Sequence, residues 1–160
     1  MERTRTVTWE DTSPVVKAAQ TMSGLEVLKA IAAGKLPPPP IGELMNFKVS
    51  EVEEGRVVFT VEPAEYHYNP LGVVHGGVAA TLCDSAMACA IWSTLPAGKS
   101  QTTIELHINY TRPITARTGR LRCIGQVINV GRRVATAECR LLDDDDKLYG
   151  HGTTTCMILD

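Results

Sequence analysis

From Met45 onward, apolar residues recur at every second position over short runs, and turn-forming clusters separate the runs. Phe47, Val49 and Val52 lead into Glu53-Glu54-Gly55-Arg56, which predicts a strand and a turn, and Val57 to Val61 predicts the returning strand. Over Thr102 to Arg112, Ile104, Leu106, Ile108 and Tyr110 alternate with Glu105, His107 and Asn109. That is the pattern of a half-buried antiparallel strand with the apolar set facing the core. Further strands are predicted at about 118–130, 132–142 and 147–158, with Gly131 and Asp143–Asp146 supplying hairpin turns; the Asp run reads as a solvated turn.

Helical spacing shows in two places. Thr12-Ser13-Pro14 can start a helix, and Val16, Ala19, Leu25, Leu28 and Ile31 carry its apolar face from Val15 to Ala33, interrupted at Ser23-Gly24. Gly34 is its stop. Pro37–Pro40 cannot be helix, because each Pro lacks a backbone donor, and reads as a stiff extended connector. Residues 1–12 are polar and predicted to be loosely held. The second helical segment, residues 76–95, is GGVAATLCDSAMACAIWSTL, apolar at 13 of 20 positions and all round its circumference. Such a helix is buried on nearly every side. Pro96 and Gly98 end it, and a loop from Pro63 to Val74 precedes it.

The order is therefore helix, two strands, one buried helix, then about four strands. Strands in hairpin succession make an antiparallel sheet, and a helix apolar all round must be wrapped by it. The prediction is an α+β chain of hotdog architecture: a sheet of five or six strands around one long central helix, with an extra N-terminal helix. Residues 1–40 form the N-terminal helix and proline-rich connector, and 41–160 the hotdog domain.

Asp84 is the anomaly in the buried segment, its only carboxylate, flanked by Leu82, Cys83, Ala86 and Met87. Burying a charge costs several kcal/mol unless it is paired or hydrogen-bonded. It lies too far inside the helix to cap it. Either it faces a water-filled gap or bonds a neighbour such as Thr81 or Ser85, or it is a base or nucleophile. The second feature is Gly72-Val73-Val74-His75-Gly76-Gly77 at the helix start. A helix N-terminus offers unpaired amides, and glycine lets another molecule approach them closely. Those amides suit a carbonyl oxygen gaining negative charge; a tight turn would also use two glycines. Eight residues from Gly76 to Asp84 span about 12 Å of helix, too far for one chain to hold and attack the same carbonyl. If both features act, the site lies across a two-fold interface.

Net charge is −2, so no general nucleic-acid or membrane-surface partner is expected, and there is no long apolar run to span a membrane. The N-terminus lacks the apolar core of a signal peptide. The five cysteines form no CxxC pair and no cluster at ligand spacing, so the expectation is reduced thiols, a cytoplasmic location and no metal site. Asn109-Tyr110-Thr111 matches a glycosylation sequon by chance.

HYNPLGVVHGGVAATLCDSAMACAIWSTL followed by TTIELHINYTRPI resembles the phenylacetate-degradation (PaaI-like) type of hotdog thioesterase. It is also similar to the 4-hydroxybenzoyl-CoA and mammalian acyl-CoA thioesterase branches. The likeness spans about residues 41–158 and includes the full pattern Asn-x5-His-Gly-Gly-x6-Asp, at Asn69, His75, Gly76, Gly77 and Asp84. The resemblance implies hydrolysis of acyl-CoA in a homodimer, itself paired into a homotetramer. Asp84 would activate water or attack the thioester, the Gly76 amide of the opposite subunit would polarise the carbonyl, and Asn69 would orient the water or thioester. His75 would organise the turn, and Thr103 would assist. Arg112, Arg132 and Arg133, with Gly77, are the candidates to bind coenzyme A. No cofactor is implied, since coenzyme A belongs to the substrate. The rival readings are a hotdog hydratase or dehydratase, against which the absence of a histidine within the helix argues, and a non-catalytic acyl-CoA-binding protein.

Overall fold

Two helices stand where the sequence predicts one in the computed structural model, which describes residues 1–160. Helix α1 runs Ser13–Ala18 and α2 runs Gly24–Ala32. The interruption at Ser23 is a new start. Ser23 Oγ accepts from the Glu26 amide, and the Glu26 carboxylate accepts from the Ser23 amide at 2.8 Å, closing a capping box. Helix α2 buries Val27 and Leu28. A third short helix, α3 (Pro40–Met45), corrects the extended reading of the proline run at its last residue. Pro40 takes the first turn of a helix, where a missing N–H costs nothing. Asn46, left-handed at φ 56°, ends α3 and releases the chain into the sheet.

Six antiparallel strands follow: β1 (Phe47–Glu53), β2 (Arg56–Val61), β3 (Ser100–Tyr110), β4 (Leu121–Val130), β5 (Val134–Asp143) and β6 (Leu148–Leu159). They form one sheet in the order β1-β2-β4-β5-β6-β3, so β1 and β3 are its edges. Helix α4 (Gly76–Trp92) packs on β2 through β6, and the hotdog arrangement is complete. Leu82, Cys83, Ala86, Met87, Ala90 and Ile91 are at most 1% exposed. Each of the large ones contributes about 1.5–3 kcal/mol by leaving water. The small residues have a reason too: a Cβ on Gly125 of β4 would lie 2.3 Å from the Ala86 carbonyl oxygen, so helix backbone rests directly on strand backbone there. No helix is long and apolar enough to cross a membrane.

Strand β3 departs from its predicted phase. Thr103 pairs with Cys156 and Glu105 with Thr155, with Ile104 as an extra residue between them. This bulge reverses the alternation. Ile104, expected inside, is 53% exposed, while Thr103 on one side of the bulge and Leu106 and Ile108 on the other all face the helix. A regular strand cannot turn positions 103 and 106 to the same face. Tyr110 is also exposed rather than core.

The Asp143–Asp146 turn is more ordered than a solvated run. Asp143 is buried and its Oδ1 accepts from the Lys147 and Asp145 amides, which hold its carboxyl below the usual range. Asp144 and Asp146 pair with Arg120 and Arg122.

Candidate active site

The bulge in β3 aims a hydroxyl at the one carboxylate of α4. Thr103 Oγ1 donates to Asp84 Oδ1 at 2.8 Å. Asp84 is half-buried, and neither Thr81 nor Ser85 serves it, because each bonds a carbonyl one turn back, Gly77 and Thr81 respectively. A donor reaching in from the sheet is a different solution from the local pairing the sequence suggested. The second Asp84 oxygen has no side-chain donor within the chain.

At the start of α4, His75 is the N-cap. Its Nδ1 accepts from the Gly77 amide at 2.9 Å. That bond occupies the Gly77 donor, so Gly77 is not free to hold a ligand. The Gly76 amide, at the first helical position, has no partner in the chain. Both glycines also answer to packing: a Cβ on Gly76 would crowd the Tyr110 ring at 3.2 Å, and one on Gly77 would meet His75 Nδ1 at 3.0 Å. Tyr110 was not singled out from sequence. Its hydroxyl donates to the Gly76 carbonyl at 3.0 Å, and partial burial pushes the phenol above its ordinary value, which keeps that proton in place.

Asn69 sits in the preceding loop, where its Oδ1 accepts from the Leu71 and Val73 amides at 2.9 and 3.4 Å. The oxygen is spent on shaping the loop, which leaves only its NH2 for a ligand. The loop is anchored below by His67, whose Nδ1 accepts from Ala64 while Nε2 donates to the Met45 carbonyl. Burial holds His67 below its ordinary value, so it is neutral.

The arginines do not form one cluster. Arg112 borders a hollow of about 370 Å³ with Gly76, Tyr110 and Ile114. Arg132 and Arg133 lie in the β4–β5 hairpin, where the Arg133 carbonyl accepts from Ile158, near the start of β3. Within one chain they stand at opposite ends of that strand. None of the three has a carboxylate partner, so all three charges are uncommitted.

The chain thus carries a supported carboxylate and a free helix-start amide, separated by eight positions of one helix. Residues 71–149 match the model of the thioesterase superfamily. The 1,4-dihydroxy-2-naphthoyl-CoA hydrolase of Listeria monocytogenes is 24% identical over 66% of this chain and 85% of its own length. A Saccharolobus solfataricus protein with a provisional esterase name is 31% identical over 68% of this chain and 75% of its own. A crystal structure from Ralstonia eutropha, provisionally described as a thioesterase related to phenylacetic acid degradation, superposes with a TM-score of 0.73. It is 27% identical and covers 81% of this chain and 98% of its own. By family match, by the solfataricus relative and by architecture, the chain belongs to the thioesterase superfamily, as a thioester hydrolase on a hotdog fold.

Proposed function

We propose that the protein hydrolyses acyl-CoA thioesters to a free acid and coenzyme A, in a site shared by two copies of the chain. The observation that carries this reading is the placement of its two halves along the free edge of β3. Asp84 is tied to Thr103 near one end of that strand, and Gly76 is tied to Tyr110 at the other. An eleven-residue edge strand with unpaired backbone groups is a template for a second strand. Antiparallel pairing with the same strand of another copy exchanges the ends. The Gly76 amide of the partner subunit then approaches Asp84, and its Arg112 approaches Arg132 and Arg133.

In this arrangement the partner's Gly76 amide and the positive end of its helix hold the thioester oxygen. Asp84, held by Thr103, removes a proton from water as the water adds to the carbonyl carbon. The tetrahedral intermediate collapses, the C–S bond breaks, and the thiolate of coenzyme A leaves and takes up a proton. Direct attack by Asp84 would instead give a mixed anhydride that water then cleaves. The NH2 of Asn69 orients the water or thioester, and His75 keeps the helix start in shape. The reaction needs only protein groups and water. The arginines of both chains meet the phosphates of coenzyme A. A cleft of about 700 Å³ between α1, α2, the proline run and β1, floored by Cys89 and Trp92, lies toward the β1 edge of the sheet and contains neither Asp84 nor a β3 residue. Two dimers pair into a tetramer in the cytoplasm, where the five thiols stay reduced.

Hydrolysis of a panel of acyl-CoAs, read through released thiol, tests the activity. Asp84→Ala is expected to lower kcat/KM by orders of magnitude with the fold intact, and unchanged hydrolysis would rule out the assignment. Gly76→Pro tests the sharing: proline suits the first position of a helix but carries no N–H. Each variant alone should be inactive. Subunit exchange between them makes half of the dimers mixed, each with one intact site of two, and so restores about a quarter of wild-type activity. A site built within one chain restores none.

A further inference from the structure

Three cysteines that are scattered in sequence meet in the core. Cys83 of α4, Cys123 of β4 and Cys139 of β5 place their Sγ atoms within 4.8 Å of one another, with Cys83 and Cys123 3.7 Å apart. They are free thiols, 0%, 0% and 2% exposed, and no histidine or carboxylate joins the set. The expectation of no metal site rested on linear spacing, which says nothing of residues brought together by a helix crossing two strands. The set stands apart from the candidate active site: Cys83 neighbours Asp84 in sequence, but its sulfur points to β4 and β5, whereas Asp84 meets β3.

We propose that these three sulfurs bind one copper(I) ion. The geometry fits with sub-ångström movement. Sulfur–metal bonds of about 2.3 Å in a trigonal plane put the sulfurs about 4.0 Å apart, within the span the three already occupy. Charge then selects the ion. The site is enclosed by apolar side chains, where a net charge costs several kcal/mol. A monovalent ion that displaces one thiol proton, R–SH + Cu⁺ → R–S–Cu + H⁺, leaves the assembly neutral, with the other two sulfurs donating lone pairs. A divalent ion needs two thiolates for the same neutrality, and zinc wants a fourth ligand that this set does not supply. Sulfur donors alone favour a soft ion.

The test uses the full chain, reduced and anaerobic, titrated against the copper(I)–bicinchoninate complex. The expected result is withdrawal of one equivalent of copper(I) per chain, with a near-ultraviolet thiolate-to-copper band and a raised Tm. Cys89→Ala and Cys156→Ala, which lie outside the set, should bind like wild type. Cys139→Ser, close in size to the native residue, should lose at least tenfold in affinity while its circular dichroism stays native. Folded wild-type protein that withdraws no copper overturns the proposal. So does binding that survives in folded Cys139→Ser, or that is lost in the Cys89 or Cys156 variants. Where Cys139→Ser fails to fold, the wild-type stoichiometry and the two outer variants decide.

Discussion

Replacing Thr103 with valine removes one hydroxyl and keeps the shape. Valine matches threonine in volume and in its preference for extended backbone, so the bulge and the β3–β6 pairing should survive. What is lost is a 2.8 Å hydrogen bond to Asp84, the one side-chain donor that holds this carboxylate. A hydrogen bond to a charged group contributes about 1.5–3 kcal/mol. If that energy fixes the carboxylate in the position from which it takes the water proton, its loss lowers kcat/KM by about tenfold to 150-fold. Because the hydroxyl acts through Asp84 and not on the substrate, the loss should fall in kcat, with KM within about twofold. The assay is thiol release from an acyl-CoA that wild type hydrolyses well. Thr103→Ser restores the donor and should recover most of the rate. A Thr103→Val protein that turns over within about twofold of wild type would refute the reasoning, since the bond would then be a packing detail.

Two further predictions concern stability. Gly125→Ala sets a methyl group against the Ala86 carbonyl, and should destabilise the chain by about 3 kcal/mol, read as a lower urea midpoint; an unchanged midpoint would show that α4 does not rest on β4 as described. The second is a pH effect: with His67 held below its ordinary value by burial, stability is whole above about pH 6.5 and declines as pH falls toward the lowered folded value. Melting curves from about pH 7.5 to 5.5 should show this decline, with a flatter trend in His67→Gln, and a parallel trend in both proteins would contradict it.

The sheet and the central helix were legible because their periods differ and their runs are long: period two over β3 to β6, apolar on all sides over α4. The boundary of α4 and the hairpin turns followed from proline, glycine and aspartate. What escaped was anything that depends on one residue changing register. Ile104 looks like a core residue in a continuous alternation, and nothing local marks it as the extra position of a bulge. Only the pairing with β6 reveals it. The bonds that commit the Asn69 oxygen to Leu71 and Val73 depend on the loop's actual path. Gly77 reads as an open donor in the sequence, and only the position of the His75 ring shows that it is occupied. Ser23-Gly24-Leu25-Glu26 interrupts the apolar period, and serine with glutamate three residues later is also a start signal, the one the structure uses. The meeting of Cys83, Cys123 and Cys139 had no sequence mark, since it comes from strand register and helix crossing together.

The only neighbour of β3 within the chain is β6, and Thr103 faces a residue 53 positions downstream. On the ribosome, then, β3 emerges beside α4 but long before the one strand it pairs with exists, while β4 and β5 can zip to β2 in order. The acid on α4 is made early, yet the strand that steadies it is docked only after β6 is synthesised. A nascent chain stalled in between holds most of a hydrophobic core but an unsteadied carboxylate. Catalytic competence should therefore arrive late and abruptly, after most of the protein's mass has already found its shape.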